Sequence, residues 1–443
     1  MTETGFEIYR EAIHTARSMT YGGNVVDVIG FLIESLGPKA RMGEICRLVP
    51  ASGVTVLAEA VGFRNSRVLL MPYGDIDGIS PGTPVYGTGK DLRVAAGSGM
   101  LGRTVDALGF PIDGMPSWKV ETSCPAMERP PGPLERGLID RSISTGIKAI
   151  DGTLTLGEGQ RIGIFSGSGV GKSTLMGMIA RNMSGDVNVI ALIGERGREV
   201  REFIQRDLGE EGLKRSVVVV ATSDEPALVR IKAAWVATAI AEFFRNRGAS
   251  VLLMMDSITR WCMALREVGL AIGEPPTTRG YTPSVFANMP KLLERAGTSP
   301  NGSITGVYTV LVEGDDMDEP IADACRGILD GHIVLSRDLA QMGHYPSIDV
   351  LASVSRLMTQ VASNEQIDLA MRLRTVLATY RKAEDLINIG AYVKGSSSQI
   401  DDALLYVEKV NGFLRQGTDD SFKMEDTVRG LAEIFACESP ECS

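Results

Sequence analysis

A chain of 443 residues, 44% apolar and 23% charged, has material for two or three folded domains and excludes a disordered or fibrous protein. A formal net charge of −10 argues against sequence-independent binding to nucleic acid, which needs a basic surface. No apolar run approaches the roughly 20 residues of a membrane-spanning helix, and residues 1–7 lack the basic and apolar regions of a secretory signal.

In chain order, Phe6, Tyr9, Ile13 and Ala16 recur at helical spacing. A helix within 1–20 with one apolar face follows, packed either on the protein's own body or on a partner or neighbouring subunit. From 21 to about 92, short runs rich in Val and Ile are broken by Gly, Pro and Asn, as at 24–29, 54–61 and 68–71. Such spacing predicts a small β-barrel over 21–95. The Pro-rich passage 116–133 reads as an extended connector. Near-continuous apolar runs at 161–165, 187–193, 216–222, 250–255 and 303–312 then alternate with helical patterns. Strands covered on both faces of a parallel sheet read this way, which predicts an α/β domain over 96–355. Beyond, 367–389 and 402–416 read as the main helices of a C-terminal helical domain over 356–443. The six cysteines are scattered and fit a reducing compartment; Cys437 and Cys442, with no His nearby, read as free thiols rather than metal ligands.

The most informative stretch is Ser166-Gly167-Ser168-Gly169-Val170-Gly171-Lys172-Ser173-Thr174, between a predicted strand and a predicted helix. A Gly-rich turn there points backbone N–H groups at a phosphate chain, and the helix N-terminus adds its dipole. Lys172 reaches the outer phosphates and Ser173 takes a place on Mg²⁺. The pattern departs from the usual one only where Ser166 stands for the first Gly. Downstream, the run ending in Asp256 sets a carboxylate at a strand end, where it holds Mg²⁺ or simply caps a helix. Glu195 follows another strand and either polarises the attacking water or pairs on the surface with Arg196 or Arg198. Arg356 is a candidate for stabilising charge on the transferred phosphoryl group, against a default of surface solvation. Tyr345, beside Pro346, either stacks on a purine or packs.

The stretches Gly194-Glu195-Arg196-Gly197-Arg198-Glu199, Met255-Asp256-Ser257-Ile258-Thr259-Arg260, 273–286 and 330–337 closely resemble the export ATPases of type III secretion, in the rotary ATP synthase α/β superfamily. Glu313-Gly314-Asp315-Asp316 and 343–349 look more like the flagellar branch than the virulence injectisome. The resemblance implies a RecA-like P-loop core and Mg²⁺-dependent ATP hydrolysis that energises flagellar protein export. It makes Glu195 the catalytic carboxylate, sets Arg196 on phosphate or on that carboxylate, and has Arg356 donated to a neighbouring subunit. It also makes Tyr345 the adenine-stacking aromatic. The second wall of that purine pocket comes in the family from the segment after 413–416; Gly417 and Thr418 follow here and leave it unassigned. Glu195 and Arg356 lie on one chain, so a finger acting in trans gives head-to-tail contacts that close into a ring, a homo-hexamer by resemblance. The implied partners are a stalk-like coiled-coil protein at 273–286, a regulatory peripheral-stalk protein at the N-terminus, chaperone–cargo complexes and a membrane export gate. The implied location is cytoplasmic, at the inner-membrane export apparatus. An RNA translocase of the termination-factor type joins similar domains, but the acidic balance and few aromatics in 21–95 oppose it.

Overall fold

The structure, a computed structural model, describes residues 22–436. The predicted helix within 1–20 and the cysteines Cys437 and Cys442 lie outside the described residues.

Two units make up the chain. Among the described residues, one takes 22–92 together with 226–229 and 267–274; the other takes 93–225, 230–266 and 275–436. In the first, strands Gly22–Ile29, Leu32–Leu36, Ile45–Leu48, Val56–Arg64, Arg67–Pro72 and Pro84–Gly87 close into an antiparallel barrel, in the order first, second, fifth, fourth, third, sixth. Inward positions such as Val25, Ile33, Leu48, Leu70 and Val85 form its core. The hairpin between the fourth and fifth strands turns through Asn65 and Ser66, both at positive φ (48° and 63°), the sense of turn that matches strand twist. The runs predicted at 24–29 and 68–71 lie in the first and fifth strands, and that at 54–61 enters the fourth two residues late, at Val56.

A nine-stranded sheet organises the second unit. Eight strands run in the order Val354–Ser355, Gly331–Leu335, Arg161–Ser166, Ser303–Leu311, Ser250–Asp256, Val187–Glu195, Ser216–Thr222, Arg103–Asp106. All neighbouring pairs among them are parallel except the first. Every residue of Val187–Glu195 is buried, as a strand covered on both faces requires. Parallel strands bring their C-terminal ends to one edge of the sheet, where α/β proteins place their sites. Ser166, Glu195 and Asp256 are all such ends.

Helices Asn364–Asn388, Ser398–Leu414 and Met424–Phe435 follow the sheet. Their Leu373, Val376, Tyr406, Val410 and Leu431 share one core with Ile164, Leu175 and Ile179. The Ser363 side chain caps the first of them by accepting from Gln366 N, which starts it ahead of the predicted residue 367. The helix Met424–Phe435 and the sheet-edge strand Arg103–Asp106 were not predicted. Within the passage read as an extended connector, Thr122–Pro125 pairs antiparallel with Arg93–Ala96.

Candidate active site

After Ser166 the backbone turns sharply, and Gly169 (φ 78°) and Gly171 (φ 90°) take up left-handed conformations that other residues adopt only with strain. Helix Lys172–Asn182 starts directly after Gly171 with no side chain capping it, so its first N–H groups face outward, ready for an anion. Two contacts brace the loop: Val312 N donates to Ser166 O (2.9 Å) and Ser347 Oγ to Val170 O (2.6 Å). Ser166 itself is 2% exposed and its hydroxyl has no hydrogen-bond partner. The departure from the usual loop thus leaves a buried hydroxyl beside the anion cradle.

Lys172 reaches across to the two strand-end acids. Its Nζ lies 2.5 Å from Asp256 Oδ1 and 3.6 Å from Glu195 Oε1. Thr309 Oγ1, on the strand between the loop strand and the Asp256 strand, donates to Asp256 Oδ1 at 2.6 Å. A bulge at Gly194 (φ 70°) breaks the register between Ile193 and Glu195 and re-aims the Glu195 side chain. Gly194 also makes room for Arg260, since a Cβ there would lie 3.0 Å from that side chain. Arg260 donates to Gly194 O and sets Nη2 3.2 Å from Glu195 Oε2. Glu195 is 7% exposed, and its Oε1 accepts no hydrogen bond. Burial, then the charge of Asp256, pushes its carboxyl up to about 7, against the pull of Lys172 and Arg260. Glu199, hydrogen-bonded to Glu195, is held below the usual carboxylate range by that bond.

Lys172, Ser173, Asp256 and Glu195 therefore gather at one edge of the sheet. Arg196 lies on the surface, with Nη1 3.3 Å from Glu199 Oε1; the guanidinium on Glu195 belongs to Arg260. Arg356 is exposed and does not join the group. Its backbone N donates to Asp330 O, and its Nη2 to Arg326 O at 3.0 Å. Asp330 sits level with Arg161, the start of the strand whose other end opens the phosphate loop. Along that strand the separation is about 17 Å, at roughly 3.3 Å per residue, farther than an arginine side chain extends. Tyr345 is 46% exposed and packs beside the loop, where a Cβ on Gly171 would lie 3.6 Å from its ring. A cavity of about 360 Å³ opens there, lined on one side by Gln416 and Thr418. Arg260, Thr309, Ser347 and Gln416 were given no role from the sequence, although Arg260, Ser347 and Gln416 lie within the stretches 255–260, 343–349 and 413–416 that carry the resemblance.

The residues fit a nucleotide phosphate chain with a divalent cation. Two buried carboxylates share one lysine, and an orphaned Glu195 oxygen faces the same space. Among the described residues no cluster of three or more His, Cys, Asp or Glu forms a metal cage by itself. The Ser173 hydroxyl and Asp256 suit a Mg²⁺ ion that keeps waters and takes its other ligands from phosphate.

Three stretches match known families: 25–89 the ATP synthase alpha/beta family, beta-barrel domain; 146–355 the ATP synthase alpha/beta family, nucleotide-binding domain; and 362–433 the T3SS EscN ATPase C-terminal domain. The flagellum-specific ATP synthase of Bacillus subtilis is 54% identical over 94% of this chain and 95% of its own. The type 3 secretion system ATPase of Xanthomonas euvesicatoria is 50% identical over 98% of both chains. Among solved structures, the assembled ATPase EscN of the enteropathogenic E. coli type III secretion system, in complex with its central stalk EscO, matches with a TM-score of 0.87. It is 44% identical and covers 94% of this chain and 100% of its own.

Proposed function

Because this chain belongs to the flagellar and type III export ATPases of the ATP synthase alpha/beta family, and is therefore an ATP hydrolase serving protein export, we propose that it energises export of flagellar proteins during flagellum assembly. The 54% identity to the Bacillus subtilis enzyme and the flagellar pattern at 313–316 and 343–349 support that branch. The 50% identity to the Xanthomonas enzyme favours an injectisome as the second reading.

One observation carries the chemistry: Lys172, at the helix start behind the phosphate loop, is held by both Asp256 and Glu195. In this reading Lys172 leaves the two acids for the outer phosphates, while the N–H groups of Gly167, Ser168, Gly169, Val170, Gly171 and Thr174 line the anion. Ser173 and Asp256 would hold Mg²⁺, which would supply positive charge to neutralise that developing on the phosphate. Asp256, released by Lys172, keeps its orientation through Thr309. Glu195 orients the attacking water and accepts its proton. Arg260 steadies Glu195, and Arg196 acts from behind by holding Glu199. Tyr345 stacks on the base.

Arg356 works on the next subunit's phosphates, in keeping with its distance from its own loop. The assembly is a head-to-tail homo-hexamer, with the segment 273–286 on a stalk-like coiled-coil protein, as EscN is solved with its central stalk EscO. The remaining partners in this reading are a regulator at the N-terminal segment, chaperone–cargo complexes and a membrane export gate; nucleic acid is not among them. No described helix is long and apolar enough to cross a membrane; the enzyme attaches peripherally at the cytoplasmic side of the export apparatus.

The test combines turnover, binding and export. Glu195→Gln retains nucleotide binding but loses ATP hydrolysis by about 10²-fold or more. Cells carrying it stop releasing flagellar filament protein. Retained hydrolysis would overturn the role of Glu195, and intact filament export with failed effector secretion would move the chain to the injectisome.

A further inference from the structure

Arg356 follows an edge strand of two residues, Val354–Ser355, which pairs with Gly331–Leu335 at two positions, Ser355 opposite Gly331 and Val354 opposite His332. So short a ladder supplies few hydrogen bonds, and the hold on its end comes from a side chain beneath it. Gln160 is 0% exposed and directly precedes the strand Arg161–Ser166 that opens into the phosphate loop. Its amide serves the arginine segment instead. Nε2 donates to Ser355 Oγ at 3.1 Å and to Asp330 O at 3.3 Å. The same Asp330 O accepts from the backbone N of Arg356 at 3.0 Å, and Ser355 Oγ donates onward to Thr155 O at 3.0 Å. Gln160 Oε1 accepts from Gly157 N at 2.8 Å. The amide therefore has a partner for each of its groups, and in one sense only. Turned over, it would set its NH₂ against the Gly157 N–H and its oxygen against Asp330 O. Beyond this anchor the Arg356 side chain is exposed, with Nη2 donating to Arg326 O at 3.0 Å.

We infer that Gln160 is a positioning residue for Arg356. It fixes Ser355 through its hydroxyl and Arg356 through the carbonyl that both donate to, and it touches no reacting atom. The inference rests on the reading of Arg356 as donated to the next subunit. Gln160 then belongs to the neighbour's site, although it stands twelve residues before Lys172 in its own chain. An arginine set against the transferred phosphoryl group is worth about 10³–10⁵ in rate, and a misplacement of about 1 Å forfeits about 10² of such a gain. The chain's own phosphate loop is braced separately, by Val312 N and Ser347 Oγ, so loosening Gln160 spares nucleotide binding.

The experiment measures ATP turnover and Mg²⁺-ADP binding for full-length Gln160→Met and Ser355→Ala, each alone and mixed in equal amounts with Lys172→Ala or with Arg356→Ala. A mixture of Lys172→Ala with Arg356→Ala is the reference. Gln160→Met should lose about 10² in turnover and keep its affinity for ADP. Mixed with Lys172→Ala, which brings an intact arginine, it should recover to about a quarter of the native rate, the share of interfaces that pair two intact halves. Mixed with Arg356→Ala it should stay at its own low level. Ser355→Ala should sort the same way with a loss of about tenfold, the worth of one hydrogen bond, and it decides the matter if Gln160→Met does not fold. Undiminished turnover in the deciding variant overturns the inference. So does rescue by Arg356→Ala in place of Lys172→Ala, which would group Gln160 with its own phosphate loop. Rescue by both or by neither, beside a reference mixture that recovers, overturns it as well. If the reference mixture itself shows no recovery, the reading of Arg356 fails and takes the role of Gln160 with it.

Discussion

Glu195 works against its surroundings, because burial and the neighbouring Asp256 both favour its protonated form. In the role proposed for Glu195 only the carboxylate accepts a proton from water, so hydrolysis should gain as pH rises through about 7. On the acid side kcat/KM should fall about tenfold per pH unit, and a pH–rate profile checks this limb. Arg260→Ala removes one cation that opposes the rise, so the limb should move to higher pH; a limb that stays put would mean Arg260 does not act through Glu195. Much of this site was legible from sequence because Lys172, Asp256 and Glu195 each sit at a fixed offset from a local pattern, a Gly-rich turn or the end of an apolar run. Arg260 was not, since its partner depends on the bulge at Gly194. Nor was Gln416, whose amide is satisfied by Gly146 and by Lys148 from the other end of the second unit. Arg196 shows the limit of adjacency: it follows Glu195 in the chain yet pairs with Glu199.

Among the elements, helix Ala227–Arg245 is tied to the segment after helix Pro283–Leu293 by a buried ion pair. Arg295, 0% exposed at its side chain, sets Nε 2.9 Å from Glu242 Oε1 and Nη1 2.7 Å from Ala126 O. Arg295→Met strands Glu242 without its counter-charge and should destabilise by about 3–5 kcal/mol. The double variant Arg295→Met/Glu242→Leu should recover most of that loss, and chemical denaturation midpoints distinguish the two. Elsewhere, Gly177 lets the phosphate-loop helix approach Asp207, since a Cβ there would lie 2.6 Å from the Asp207 Cβ and 2.7 Å from its carbonyl oxygen. Gly177→Leu should therefore lower the thermal midpoint by several degrees, with backbone displacement the only relief. The central strands were legible because burial on both faces makes the seven residues of Ser216–Thr222 and the nine of Val187–Glu195 near-continuously apolar. Arg103–Asp106 has four residues, one of them an arginine, too short for any period to emerge. Helix Met424–Phe435 hides its apolar face behind a first turn bearing Glu425 and Asp426.

For the whole molecule, the proposed donation of Arg356 to the next subunit would make hydrolysis a property of neighbours. Activity per chain should then climb steeply with protein concentration, because under that proposal the complete site exists only in the assembly. Lys172→Ala and Arg356→Ala, each inactive alone, should regain activity when mixed. At equal amounts about a quarter of the sites pair an intact Lys172 with an intact Arg356 from the next chain. No recovery would refute donation in trans. Domain order was legible from the switch between short broken runs, long apolar runs and helical periodicity; assembly was legible only through the resemblance, because nothing local in 353–356 says which chain the arginine serves. Arg356 stands at one end of the strand Arg161–Ser166 and the phosphate loop at the other. In a cell expressing two alleles, a lysine-null copy and an arginine-null copy would therefore rescue each other, while one copy carrying both lesions would poison its companions. Inheritance at this locus should follow the geometry of the ring rather than the count of functional genes.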